Sequence, residues 1–177
     1  MRGYSLAFLS FRWAAFTLVG ACLLGASASA AILSFEANLD GLQEVPPNAS
    51  PGFGQVDLTL DTTSGFVTIT TGTYQDLLGG ATAVTLSDAA IGVNGPNALV
   101  LTLDTPAATS GTFSGGGTIT GGQVTDMINT NTYINIRSNV FPSGEIRGQL
   151  FVVPEPSSLL LACGGLVGLF FIGQRKK

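Results

Sequence analysis

Several stretches of the chain alternate apolar and polar side chains with a period of two, a spacing that only strands with one buried face can use. Leu33, Phe35, Ala37 and Leu39 alternate with Ser34, Glu36, Asn38 and Asp40. Val56, Leu58 and Leu60 repeat the pattern against Gln55, Asp57, Thr59 and Asp61, as do Val67 with Ile69, and Leu99 and Leu101 with Leu103. Further strands are expected near residues 83–86, 111–120, 132–138 and 145–152. Turn-forming clusters punctuate them at Asp61-Thr62-Thr63-Ser64-Gly65, Asn94-Gly95-Pro96 and Pro142-Ser143-Gly144. The expected fold is therefore all-β, with about eight short strands forming a β-sandwich or small barrel. One stretch breaks the alternation: residues 120–128 place apolar side chains at 124, 127 and 128, which suits one or two helical turns. Gly115-Gly116-Gly117 reads as a bulge or loop.

Both ends are built differently. Arg2 and Arg12 precede an apolar run from Trp13 to Leu24, followed by Gly25-Ala26-Ser27-Ala28-Ser29-Ala30-Ala31. That order is a secretory signal, with Ala28 and Ala30 as the small side chains a signal peptidase accepts and cleavage expected after Ala30. An uncleaved anchor is the competing reading, but the run falls short of the roughly 20 residues a bilayer requires. Cys22 could belong to a lipoprotein signal, although Leu23 and Leu24 continue the apolar run past it. At the far end, Val153-Pro154-Glu155-Pro156 leads into an uncharged apolar stretch, residues 159–173, and then Gln174-Arg175-Lys176-Lys177. The two prolines stop the preceding strand. The stretch is expected to be a short hydrophobic helix whose terminal cations stay in the cytoplasm, leaving the middle of the chain outside. Residues 1–30, 31–152 and 153–177 thus read as signal peptide, folded domain and sorting tail.

Charge divides along the same lines. Residues 31–152 hold two cations, Arg137 and Arg147, against ten carboxylates, a net charge of −8. Such a domain cannot neutralise a row of phosphates, which excludes sequence-independent binding to nucleic acid. Histidine is absent from the whole chain, and both cysteines, Cys22 and Cys163, lie in the end segments. The domain therefore contains no disulfide, no Ser-His-Asp or Cys-His nucleophile and no histidine or thiolate for zinc. A carboxylate pair of the glycosidase type is the one enzymatic arrangement left. Asp57, Asp61, Asp88 and Asp104 offer hard oxygen ligands for Ca²⁺, but their spacing matches no calcium loop.

Two segments carry the most identity. Leu39-Asp40-Gly41-Leu42-Gln43-Glu44-Val45-Pro46-Pro47 ends ladder pairing with paired prolines. Gly144-Glu145-Ile146-Arg147-Gly148-Gln149-Leu150 closes the domain after Tyr133-Ile134-Asn135-Ile136-Arg137-Ser138. On strands, Ile134, Ile136, Ile146 and Leu150 face the core, so Asn135, Arg137, Glu145 and Arg147 emerge opposite them. With Glu44 these form a candidate polar surface cluster. Either it recognises sugar or peptide, or it is an ion-pair ladder that fixes strand register, worth about 0 to 1 kcal/mol per exposed pair.

These motifs, with Gly92-Val93-Asn94-Gly95-Pro96 between them, resemble the CHRD domain over about residues 33–152. The resemblance implies an immunoglobulin-like β fold without established enzymatic activity and names no substrate or cofactor. Members usually carry Ala-His-Ile-His where this chain reads Ala83-Val84-Thr85-Leu86, and a histidine at Arg137, so transition-metal binding there is not expected. The end of the chain resembles the PEP-CTERM sorting tail: Val153, Pro154, Glu155 and Pro156, an apolar helix, and a basic end. That resemblance implies a Gram-negative bacterium making extracellular polysaccharide, and an exosortase that cuts near 154–156. The combined expectation is an exported, noncatalytic cell-surface or matrix protein. A module binding Ca²⁺ or extracellular polysaccharide is the alternative, and a carboxylate glycosidase is the remote one.

Overall fold

The computed structural model describes residues 31–154. The alternating segments become β1 (Ile32–Asp40), β2 (Phe53–Asp61) and β3 (Phe66–Gln75), a continuous antiparallel meander. The Asp61 carboxylate turns the β2–β3 hairpin by accepting the N–H groups of Thr63 at 2.8 Å and Ser64 at 3.2 Å. Next come β4 (Ala81–Asp88), β5 (Asn97–Leu103), β6 (Gly111–Ser114) and β7 (Gly116–Thr118). Gly115, at φ +111°, separates β6 from β7, and both lie along β3. The expected bulge is therefore a kink between two short strands that a side chain at 115 would strain.

The break in alternation is a helix, α1 (Gly121–Ile128). Thr120 caps it, its hydroxyl accepting the Gln123 N–H while Gln123 Oε1 accepts the Thr120 N–H, a reciprocal box that supplies partners for two groups the helix leaves open. The chain ends in β8 (Thr132–Ser138), β9 (Ile146–Gln149) and β10 (Phe151–Val153).

Hydrogen-bonded neighbours run β1-β2-β3-β6-β5-β4-β8-β9, and β9 pairs back to β1 through Asp40↔Arg147. The result is a closed antiparallel barrel of eight strands. Of the two all-β alternatives the sequence left open, the sheet takes the barrel. The immunoglobulin-like sandwich implied by resemblance is not what the strand order forms. The reason lies in the last strand: residues 146–153 keep one register along β1, while Leu150 N–H still bonds Thr132 on β8. One strand that serves both neighbours removes the edge an open sandwich would keep.

The interior is filled by Phe35, Leu39, Val56, Leu58, Leu60, Val67, Val84, Leu86, Phe113, Ile134, Ile136 and Ile146, with Met127 of α1 joining the same cluster. Tyr74 is also fully buried, and its hydroxyl donates to the Thr105 carbonyl at 2.9 Å. The signal-cleavage residues Ala28 and Ala30, the sorting-motif residues Glu155 and Pro156 and the expected hydrophobic helix lie outside the described residues. Among the described residues no helix is long and apolar enough to cross a membrane.

Candidate functional site

β8 and β9 are unusual in the barrel because both of their faces are buried. Ile134, Ile136 and Ile146 fill the inner face. On the outer one, register brings Asn135 beside Arg147 and Tyr133 beside Gln149, while β4 adds Thr85 next to Asn135 and Ser87 next to Tyr133. Alternation places these polar side chains outward, as the sequence requires. They are nevertheless not a surface cluster, because the segments 41–52 and 89–96 fold over them.

The first cover begins with a 3₁₀ turn, Gly41–Gln43, started by Asp40, whose carboxylate accepts Leu42 N–H at 2.9 Å and Gln43 N–H at 3.0 Å. Gln43 then accepts the Gln149 N–H at 3.2 Å, and the chain passes through a cis Val45–Pro46 bond. Farther on, Asn48 donates to the Glu145 carbonyl at 3.0 Å and Ser50 to the Glu145 carboxylate at 2.7 Å. The second cover is held by Arg147, which is 1 % exposed and lies with its guanidinium carbon 3.5 Å from the Tyr133 ring centroid. Arg147 donates to the carbonyls of Val93 at 2.9 Å and Ala90 at 3.2 Å, and to Gln149 Oε1 at 3.1 Å. Gln149 in turn donates to the carbonyls of Ala89 and Thr130 at 3.1 and 2.7 Å. Asn94 ties the two covers together with a 2.7 Å bond to the Val45 carbonyl. Gly95 N–H reaches the Tyr133 hydroxyl at 3.2 Å.

Of the five residues singled out from the sequence, Glu44, Asn135 and Arg147 converge. Asn135 donates to Glu44 Oε2 at 3.3 Å, while Glu44 Oε1 and Asn135 Oδ1 are buried without a partner. Burial pushes the Glu44 carboxyl up to about 7, against the pull of Arg147, the Val45 N–H, Asn135 and Arg137. Burial likewise lowers the Arg147 pKa, opposed by Tyr133 and Glu44. A side chain at Gly144 would place its Cβ 2.5 Å from Glu44 Oε1, and φ there is +152°, so glycine is what lets the carboxyl seat. Glu145 points elsewhere: its carboxylate receives Ser50 and the N–H groups of Leu78 and Gly79. Arg137 is half-buried and donates to Asn97 Oδ1 at 3.3 Å.

The hydrogen bonds therefore do not join acid to base. Each charged side chain bonds to backbone or neutral groups; those of Arg147 and Glu145 fasten loops, while Arg137 reaches Asn97 at the start of β5. Val84 and Leu86 point into the core, so the face that meets Asn135 carries Thr85 and Ser87 instead. Polar side chains from β4 can reach this site only from 85 and 87. Asp61 and Asp104 are occupied locally, Asp104 accepting the hydroxyls of Thr112 and Ser114 at 2.8 and 2.7 Å. Among the described residues no three acidic, histidine or cysteine side chains gather to hold a metal.

Sequence reasoning overlooked Tyr133, Gln149, Asn94 and Ser50. The first two share the outward parity of Asn135 and Arg147 and were visible by alternation. Asn94 and Ser50 lie in loops, where no periodicity marks them.

These two covers and the strands they clasp coincide with a family match: the CHRD domain model matches residues 35–150. The chain belongs to the CHRD domain family. Its CHRD barrel is followed immediately by a match to the PEP-CTERM protein-sorting motif over residues 152–176. That motif implies processing by an exosortase and export to the cell envelope or surface. No curated protein and no solved structure matches the chain. Within the CHRD segment, the opening motif forms the first cover and the closing motif forms β9, so the residues that carry the resemblance hold the loops on the barrel.

Proposed function

We propose that this is an exported, noncatalytic surface or matrix protein of a Gram-negative bacterium, in which the CHRD barrel is the delivered body and contributes structure or adhesion. Signal peptidase removes residues 1–30, the apolar tail holds the protein at the membrane, and the exosortase cuts at 154–156. The observation that carries this reading is the position of the sorting match: it starts at residue 152, inside β10, so a cut at 154–156 leaves the barrel whole and removes only the tail beyond the last strand. The last strand runs directly into Pro154.

The noncatalytic reading rests on how the polar groups are used. Arg147 and Glu145 are engaged with loop backbone, and Glu44 is enclosed beneath the covers. A group that transfers a proton to substrate must reach it within hydrogen-bond distance, directly or through one water. Fractionation of cells expressing the full chain tests the routing: the protein is expected in the envelope or medium without residues 1–30, and cytosolic protein retaining them contradicts it. Any hydrolase activity on glycans that disappears in both Glu44→Gln and Glu145→Gln would instead support the carboxylate enzyme.

A further inference from the structure

The outer face of β1, β2 and β3 carries the second polar constellation of the barrel, and it is open. Register lines up Asn38, Gln55 and Thr73 in one row, and Asp40, Phe53 and Gln75 in the row two residues along. Between them lies a shallow recess of about 150 Å³, lined by Asn38, Phe53, Gly54, Gln55, Thr73 and Gln75. The Phe53 ring is 47 % exposed. Unlike the side chains under the covers, those of Asn38, Gln55, Thr73 and Gln75 make no hydrogen bond within the protein among the described residues. Asp40, in the row of Phe53 and Gln75, is spent on the 3₁₀ turn and on Gln43.

We propose that this recess is a subsite for one ring of a neutral saccharide chain. Three free amides and a hydroxyl both donate and accept, which is the hydrogen-bonding character of sugar hydroxyls. The exposed phenyl offers an apolar face to the C–H side of a pyranose. The lining carries no charge, which suits neither a bare cation nor an anion. Glu36 and Asp57 share the next row and, in a domain of net charge −8, repel uronate or sulfated chains. A peptide adding as a strand has no place here, because β2 is paired on both sides along its length. The volume lies below the 300–1,000 Å³ typical of a pocket enclosing a drug-sized ligand, as expected where a polymer passes over and one ring settles. The proposal goes beyond the export reading and uses it only in that such polymers are met outside the cell.

Native gels cast with dextran, galactomannan or hydroxyethyl cellulose, with polygalacturonate as the acidic control, test this on the full chain. Retardation is expected in at least one neutral gel and not in polygalacturonate. Phe53→Ala and Gln55→Ala should each weaken it tenfold or more with the circular dichroism spectrum unchanged. Because both positions are exposed, folding is expected to survive, and if Phe53→Ala misfolds, Gln55→Ala decides. Mobility unaffected by every neutral polymer, equal retardation by polygalacturonate, or retardation insensitive to the substitution would overturn the proposal. None of these results bears on where the protein is found, so the export reading stands or falls separately by fractionation.

Discussion

At Glu44 burial outweighs the pull of the neighbouring positive charge and hydrogen bonds. Its carboxyl titrates at about 7 in the folded protein against an ordinary value of 4.5, so the native state binds this proton more tightly than the unfolded chain does. The stability this group contributes is therefore fully present below about pH 4.5 and is lost as pH rises through about 7, the reverse of a paired surface carboxylate. Urea denaturation from about pH 5 to 8 is expected to show the midpoint falling as pH rises. In Glu44→Gln that fall should be largely removed, because the amide stays neutral across the range. An unchanged slope in the variant would assign the pH dependence to other carboxyls. The sequence placed Glu44 beside the prolines and grouped it with Asn135 and Arg147, but it held no sign of enclosure. Enclosure comes from Gly144 and from two covers meeting across Asn94 and Val45, contacts between positions about 50 and 90 residues apart in the chain.

At the scale of elements, the strands and the helix were legible because each is a local pattern. Period-two alternation marked β1, β2, β3 and β5, and the apolar spacing at 124, 127 and 128 marked α1. Pairing was less legible. Outward parity correctly set Asn135 and Arg147 opposite the core, yet it could not say whether solvent or protein lay beyond them. The two covers depend on side chains from β9, above all Arg147, whose guanidinium holds the carbonyls of Ala90 and Val93. Arg147→Met keeps the stem but removes these bonds, and leaving a buried neutral acceptor unpaired costs roughly 1–3 kcal/mol. Hydrogen exchange should localise the loss: the Gly95 amide, bonded to the Tyr133 hydroxyl, is expected to exchange faster than in the wild type, while β2 amides respond only through global unfolding. Uniform acceleration across every strand would mean that Arg147 supports the barrel and not the covers.

At the scale of the molecule, closure distinguishes this barrel from the sandwich that resemblance implied, and closure is a relation between the first and last strands that no window of sequence contains. It also bears on export. A barrel completed by residues 146–153 reaches its final form only when the chain up to the sorting tail is available, and the sorting match begins within the last strand, at residue 152. Cutting beyond β10 leaves every strand in place; cutting earlier would open the sheet along β1. The most direct measurement is the intact mass of the envelope or extracellular protein, taken from cells with and without the exosortase. A species beginning near Ala31 and ending near 154–156 is expected when the exosortase is present, and one retaining the tail through Lys177 when it is absent. A surface protein that retains Lys177 in both strains, or one cut within residues 146–153, would contradict delivery of an intact barrel by the sorting tail.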